Sequence, residues 1–273
     1  MYTDSHNHTI EFSADAHMTA QELLSAAAAK HLSSVVITEH LELDFPHPVS
    51  TPMVFDIDDF FREFCIWKNE NTSGVTLLSG IELGYQKHLA TRLDQIASSY
   101  PFDSIILSNH LFQGKDPYFY RGCYELPKED LFSAYIDEMT GMVESCREFD
   151  IVGHYDYIAR YSDYTDFKMR YADANKSFDR LFEAIIDKKK SLEINTRSVY
   201  KLRISGCTDA MPDFSILEAY RKAGGTRITL GSDSHDNSTV GIYFGEIITL
   251  LKEAGFDYVT SYVSRKEKTD TIR

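Results

Sequence analysis

Residues 2–10, YTDSHNHTI, place two histidines, His6 and His8, one residue apart at the end of a run that reads as an N-terminal strand. Side chains alternate between the faces of a strand, so residues two apart share a face and can converge on one point. An isolated His-x-His is weak as a motif, since two ordinary polar residues give the same pattern. What decides between the readings, and decides the fold, is how the later strands end.

Seven further runs read as strands: SSVVITEH (33–40), VTLLSGIEL (75–83), FDSIILSNH (102–110), FDIVGHYDY (149–157), SLEINTR (191–197), RITLGSDSH (227–235) and DYVTSYV (257–263). Amphipathic stretches with helical spacing separate many of them, as in MTAQELLSAAAAKHL (18–32), KEDLFSAYIDEMTGMVESCREF (128–149) and ANKSFDRLFEAIIDKKK (174–190). FSILEAYRKAGG (214–225) and GIYFGEIITLLKEAG (241–255) end on glycine stops. The first helix opens with a capping box, Thr19 as N-cap and Glu22 three residues on, flanked by Met18 and Leu23 as a hydrophobic staple. Alternating strands and helices predict an α/β chain built on a parallel sheet closed into a barrel. No linker, repeat or low-complexity tract divides it, so residues 1–273 read as one domain. The stretch from Leu41 to Asn71, with three prolines near its start, reads as an excursion over one mouth of that barrel.

Nearly every strand candidate ends on a residue that can bind a metal: His6 and His8, His40, Glu82, His110, His154, then Asp233 with His235. Six of the ten histidines occupy these equivalent positions, whereas His31, His47 and His88 fall in helix or loop and read as surface residues. Parallel barrels build their active sites at the C-terminal ends of the strands. Imidazoles and carboxylates without a thiolate suit zinc, manganese or iron. So many donors exceed one tetrahedral ion, which predicts two or three divalent ions sharing a carboxylate, with Glu82 the candidate bridge.

Bulk properties narrow the class of partner. A formal net charge of −14 opposes binding to a phosphate backbone, and no basic, aromatic-interleaved stretch offsets it. No apolar run reaches membrane-span length, and no basic segment with an apolar core opens the chain. The four cysteines are scattered, without a C-x-x-C pair. The expectation is a cytoplasmic protein acting on a small molecule, with neither nucleic acid nor membrane as partner; oligomeric state is not readable.

The ordered set His-x-His, T-E-H, G-I-E, S-x-H, G-H and G-S-D-x-H resembles the polymerase and histidinol phosphatase (PHP) superfamily over essentially the whole chain. That resemblance implies a distorted (β/α)7 barrel, TIM-barrel-like, with a trinuclear metal site at the C-terminal ends of the strands. SNHLFQGKDPY, DIVGHYDYIARY, LEINTR and ITLGSDSHD look most like the stand-alone histidinol-phosphate phosphatases of histidine biosynthesis. Carried over by motif, His6, His8, Glu82 and Asp233 would hold a first ion, and Glu82, His110 and His154 a second. His40 and His235 would hold a third with one residue of the EFSADAH loop. Position 14 of that loop, where the family commonly places a ligand, is alanine. Asp15 is the choice and His17 the alternative.

The implied reaction is hydrolysis of L-histidinol phosphate to L-histidinol and phosphate by a hydroxide bridging two ions, held by Glu82 and Asp233. Arg160 in YIARY and Arg197 in EINTR follow strand ends and suit bidentate contact with phosphate oxygens. Glu11, Phe12, Phe112, Asp116 and Tyr118 are rim candidates for the amine and imidazole. Three other readings stand beside this one: a PHP phosphoesterase acting on nucleotides or oligonucleotides, a metal-dependent amidohydrolase, which would commonly supply a bridging lysine where this chain offers Glu82, and a non-catalytic PHP scaffold.

Overall fold

The structure, a computed structural model, describes residues 1–46 and 53–272. Seven strands follow chain order around one sheet: β1 (Thr3–Asn7), β2 (Ser34–Leu41), β3 (Thr76–Gly84), β4 (Ser104–Ser108), β5 (Ile151–Val152), β6 (Ser191–Asn195) and β7 (Ile228–Gly231). Each neighbouring pair is parallel. The sheet nearly closes where β7 meets β1: Asp233 N–H donates to the His6 carbonyl at 2.8 Å and His8 N–H to the Ser234 carbonyl at 2.9 Å. A register shift between Asp4 and Asn7 and the two-residue β5 distort the barrel.

Asp4 fastens the seam. Its carboxylate accepts from Ser232 N–H at 2.9 Å, the Ser232 hydroxyl at 2.6 Å and Gly241 N–H at 3.0 Å. Burial pushes this carboxyl up to about 6 even against those hydrogen bonds.

Alternation along the strands sorts the residues by face. Val35, Ile37, Ile81, Leu83, Ile105, Leu107, Leu192, Ile194, Ile228 and Leu230 belong to the large apolar cluster shared with the helices. Their alternates, among them His40, Glu82, Ser108 and Glu193, meet one another across the barrel interior. The barrel therefore spends its inner upper layer on polar chemistry and takes its apolar burial from the outer face.

The helices that cover that face are α1 (Ala20–Ala29), α2 (Ile57–Glu70), α3 (Ala90–Ser99), α4 (Lys128–Ser145), α5 (Asn175–Asp187), α6 (Thr196–Ile204), α7 (Phe214–Lys222) and α8 (Phe244–Glu253). The capping box of α1 forms: Thr19 Oγ1 accepts Glu22 N–H at 3.2 Å, and Thr19 N–H donates to Glu22 Oε2 at 2.8 Å. Met18 and Leu23 are both buried at that end. Thr19→Ala is expected to lower the unfolding free energy by about 1 kcal/mol, read in urea with an unchanged slope.

Three features differ from the sequence expectation. The run 257–263 does not join the barrel: it forms β8 (Tyr258–Val263), antiparallel to β9 (Lys266–Thr271). Ser264 and Arg265, both at positive φ, make the connecting turn. This hairpin stops the N-terminal end of the barrel, where Tyr262 packs with Ile106 and Ile151 and its hydroxyl lies 2.7 Å from Ser191 Oγ. The segment 41–71 is less irregular than expected, because α2 is a regular helix capped by Asp56 and buries Phe60 and Phe64. Helices α3 and α6 were not anticipated. His31 and His88 are exposed as expected; His47 lies outside the described residues.

Candidate metal centre

Strand register builds the centre. β2 and β3 pair with His40 opposite Glu82, so the two side chains enter the barrel side by side, Nδ1 to Oε2 at 2.7 Å. β1 brings His6 and His8 to the same level, with His6 Nε2 3.3 Å and His8 Nε2 3.7 Å from Glu82 Oε2. Beyond β4 and β5, His110 Nε2 and His154 Nε2 stand 3.2 and 2.9 Å from Glu82 Oε1. One fully buried carboxylate thus faces five imidazoles.

Asp233 and His235, just past β7, complete the ring. Asp233 Oδ1 lies 3.5 Å from His8 Nε2 and 3.9 Å from His6 Nε2. His235 Nε2 is 3.4 Å from His40 Nε2 and 3.0 Å from Asp15 Oδ2. The His17 side chain is exposed, while its backbone N–H donates to the His235 carbonyl. The re-entrant loop therefore brings Asp15 to the cluster and leaves the His17 ring outside it.

Four trios each place their donor atoms within 4.8 Å of one another: His6, Glu82 and His154; His6, His8 and Asp233; His8, His40 and His235; and His40, Glu42 and His110. Among the described residues, His6 Nε2, His8 Nε2, His40 Nδ1 and Glu82 Oε2 are buried without an aligned hydrogen-bond partner. An unsatisfied buried polar atom costs about 1–3 kcal/mol, so a group of them aimed together is a donor set for a cation. Electrostatics agree. Burial opposes charge on Glu82, yet His6, His110 and His40 hold its carboxyl well below the usual range. Burial likewise opposes charge on His6 and His110, yet Glu193 and Glu82 raise the first and Glu42 and Glu82 the second well above the ordinary imidazole value. The buried carboxylates demand positive charge at this point, which divalent ions with nitrogen and oxygen ligands would supply.

Residues the sequence reading did not single out orient these donors. Glu193 Oε1 lies 2.7 Å from His6 Nδ1, and its Oε2 accepts His154 N–H at 2.7 Å. Glu42 Oε1 lies 2.5 Å from His110 Nδ1, and the Ser108 hydroxyl donates to Glu82 Oε1 at 2.6 Å. Two glycines make room: a Cβ at Gly84 would overlap the Glu42 carboxylate, and one at Gly231 the Glu193 carboxylate. Glu39 accepts from Thr9 N–H, the Thr9 hydroxyl and the Ser13 hydroxyl, which fixes the loop carrying Asp15. Glu42 and Glu193 were legible in principle, in HLE (40–42) and LEIN (192–195), as carboxylates in phase with strand-end donors. Because such partners set ring orientation and tautomer, Glu193→Gln is expected to weaken metal affinity by about 10–100-fold, measured by competition with a chromogenic chelator.

The mouth is a cavity of about 90 Å³ lined by Asp15, Phe45, Met53, Asp116, Tyr157, Tyr161 and the two arginines, among others. Arg160 Nη1 donates to Asp233 Oδ2 at 2.9 Å, and Arg197 Nη1 to the Asp233 carbonyl at 3.0 Å. A larger cavity of about 660 Å³, between residues 85–88 and α4, carries none of the converging donors. Of the other rim candidates, Asp116 and Phe112 are buried, Phe12 packs on Phe55, Phe60 and Trp67, and Glu11 and Tyr118 are exposed.

Imidazoles and carboxylates gathered at the C-terminal mouth of a parallel barrel are a donor set of the kind that metal-dependent barrel enzymes use. Residues 4–197 match the PHP domain, and the chain belongs to that family. A Clostridium acetobutylicum protein named "Probable histidinol-phosphatase" is 34% identical over 252 residues, covering 92% of this chain and 93% of the relative. The histidinol-phosphatase of Lactococcus lactis is 28% identical over 269 residues, covering 96% and 95%. A crystal structure of the Lactococcus lactis enzyme, complexed with zinc, L-histidinol and phosphate, superposes with a TM-score of 0.84 at 27% identity, covering 98% of each chain. A Listeria monocytogenes structure at 19% identity, TM-score 0.74, shares the fold.

Proposed function

We propose that the chain is a metal-dependent phosphomonoesterase that hydrolyses L-histidinol phosphate to L-histidinol and phosphate. The observation that carries this reading is the convergence of five imidazoles on the Glu82 carboxylate beneath a mouth holding two arginines, in a chain matching over 98% of its length an enzyme seen with zinc, L-histidinol and phosphate.

His6, His8, His40, Glu82, His110, His154, Asp233 and His235, with Asp15 at the mouth, are the residues assigned to hold two or three divalent ions, zinc, manganese or iron. Such ions neutralise charge on a phosphoryl group and make water available as a nucleophile near neutral pH. Arg160 and Arg197 are assigned to the phosphate oxygens, where guanidinium geometry matches two acceptors at once. Asp116 is the residue we assign to accept a hydrogen bond from the substrate amine. It is buried at the mouth, and burial raises its carboxyl against the Tyr118 N–H it accepts at 2.8 Å. Tyr157 and Tyr161 would wall the imidazole.

Among the described residues no helix is long and apolar enough to cross a membrane, and Cys65, Cys123, Cys146 and Cys207 are free thiols. Free thiols fit a reducing, cytoplasmic compartment, and the formal net charge of −14 favours a small-molecule substrate over nucleic acid. Product analysis by phosphorus and proton NMR tests the reaction type. Equimolar L-histidinol and inorganic phosphate are expected from the metal-loaded protein, with no release from a phosphodiester such as bis(p-nitrophenyl) phosphate. Cleavage of the diester in preference to the monoester would reject it.

A further inference from the structure

Arg160 is held from behind as well as from the metal side. Its Nε donates to Ser198 Oγ at 2.8 Å, and the Ser198 hydroxyl donates in turn to Asp156 Oδ1 at 2.7 Å. Nη1 is committed to Asp233, and the guanidinium carbon stands 5.4 Å from the Tyr157 ring centroid. The side chain is 2% exposed, and its Nη2 is buried without a hydrogen-bond partner among the described residues. A guanidinium is a rigid plane of five N–H groups, so fixing Nε and Nη1 fixes where Nη2 points.

Ser198 has one proton to give. With Asp156 taking it, the oxygen lone pairs face Arg160 Nε, so the carboxylate sets the direction of the hydrogen bond beside it. Ser198 sits in the first turn of α6, one residue beyond Arg197, so one short helix anchors both cations of the mouth.

We propose that Ser198 and Asp156 are positioning residues: through the chain Asp156–Ser198–Arg160 they aim the free edge of the guanidinium at the phosphate of the substrate. The proposal rests on the reading of Arg160 as a phosphate-holding group, and the two are separable by experiment.

Binding of inorganic phosphate to the metal-loaded protein would be measured by isothermal titration calorimetry, beside steady-state kinetics, for wild type, Ser198→Ala, Asp156→Ala, Arg160→Ala and the double variant Arg160→Ala with Ser198→Ala. Metal content and melting temperature of each variant establish that the holoprotein is compared. Ser198→Ala and Asp156→Ala are each expected to weaken phosphate binding and raise KM by about tenfold, the scale of a hydrogen bond to a charged group, with kcat within about threefold. In the Arg160→Ala background, Ser198→Ala is expected to change nothing further, because its effect runs through the guanidinium. Unchanged phosphate affinity in both single variants, or an equal loss from Ser198→Ala with and without Arg160, would overturn the positioning role. Wild-type phosphate affinity in Arg160→Ala would instead remove the phosphate-holding reading of Arg160 itself.

Discussion

Replacing Glu82 by alanine is expected to lower kcat/KM for phosphate release by at least about 10³-fold and to strip most of the bound metal, while the barrel stays folded. The magnitude follows from what this carboxylate touches. Imidazole nitrogens of His40, His154, His110 and His6 stand 2.7 to 3.3 Å from its two oxygens, and His8 follows at 3.7 Å. Losing the anion at that focus removes the negative charge that would offset the ions held by the neutral imidazoles. Metal-ion catalysis contributes several kcal/mol, and each 1.36 kcal/mol is tenfold in rate. Steady-state kinetics with metal analysis on the same samples would check it, and near-wild-type metal content together with near-wild-type rate would sink the assignment.

Removing the metals with a strong chelator is expected to abolish turnover and to lower the melting temperature by roughly 10 °C, both recovering on addition of zinc or manganese. Ligands that bind only the native state stabilise it by about 4 kcal/mol at a thousandfold excess over Kd, and a domain of this size moves about 2–4 °C per kcal/mol. The structural reason is that Glu42, Glu82, Glu193 and Asp233 are buried together, with Asp15 above them, while the guanidinium groups of Arg160 and Arg197 reach Asp233, at its carboxylate and its carbonyl. Without divalent charge, the neighbouring carboxylates favour the charged form of His6 and His110, which burial opposes. Scanning calorimetry before and after chelation reads the shift. An unchanged melting temperature in a demonstrably metal-free sample would argue against a resident cluster.

How far the sequence could be read depended on where each residue's partner lay. The barrel strands were legible because each carries its own short β-branched or apolar run and nearly all end on a metal-binding residue, as SSVVITEH and FDSIILSNH show. β9 was not, because its stretch KEKTDT is almost wholly polar and has meaning only beside β8. Helix α2 was obscured by the prolines before it, and α6 by starting directly at the end of β6, with Asn195 as its cap. The site divides the same way. His6, His8, His40, Glu82, His110, His154, Asp233 and His235 announce themselves by position, and the structure brings them together. Glu193, Glu42 and Ser198 act on residues 187, 68 and 38 positions away, so only the closed barrel reveals what they face. Asp15 needed the loop's path, which turns its carboxylate to His235 and leaves the His17 ring exposed.

The most direct test of the account is kcat/KM for metal-loaded protein on L-histidinol phosphate, beside a panel of nucleoside monophosphates, sugar phosphates and short DNA. If Asp116 takes the amine and the two arginines the phosphate, as proposed, the preference for L-histidinol phosphate is expected to be at least about 10²-fold, since buried polar groups must be matched. A higher kcat/KM on a nucleotide or oligonucleotide would contradict the substrate, and no turnover of any phosphate ester at full metal loading would contradict the enzyme.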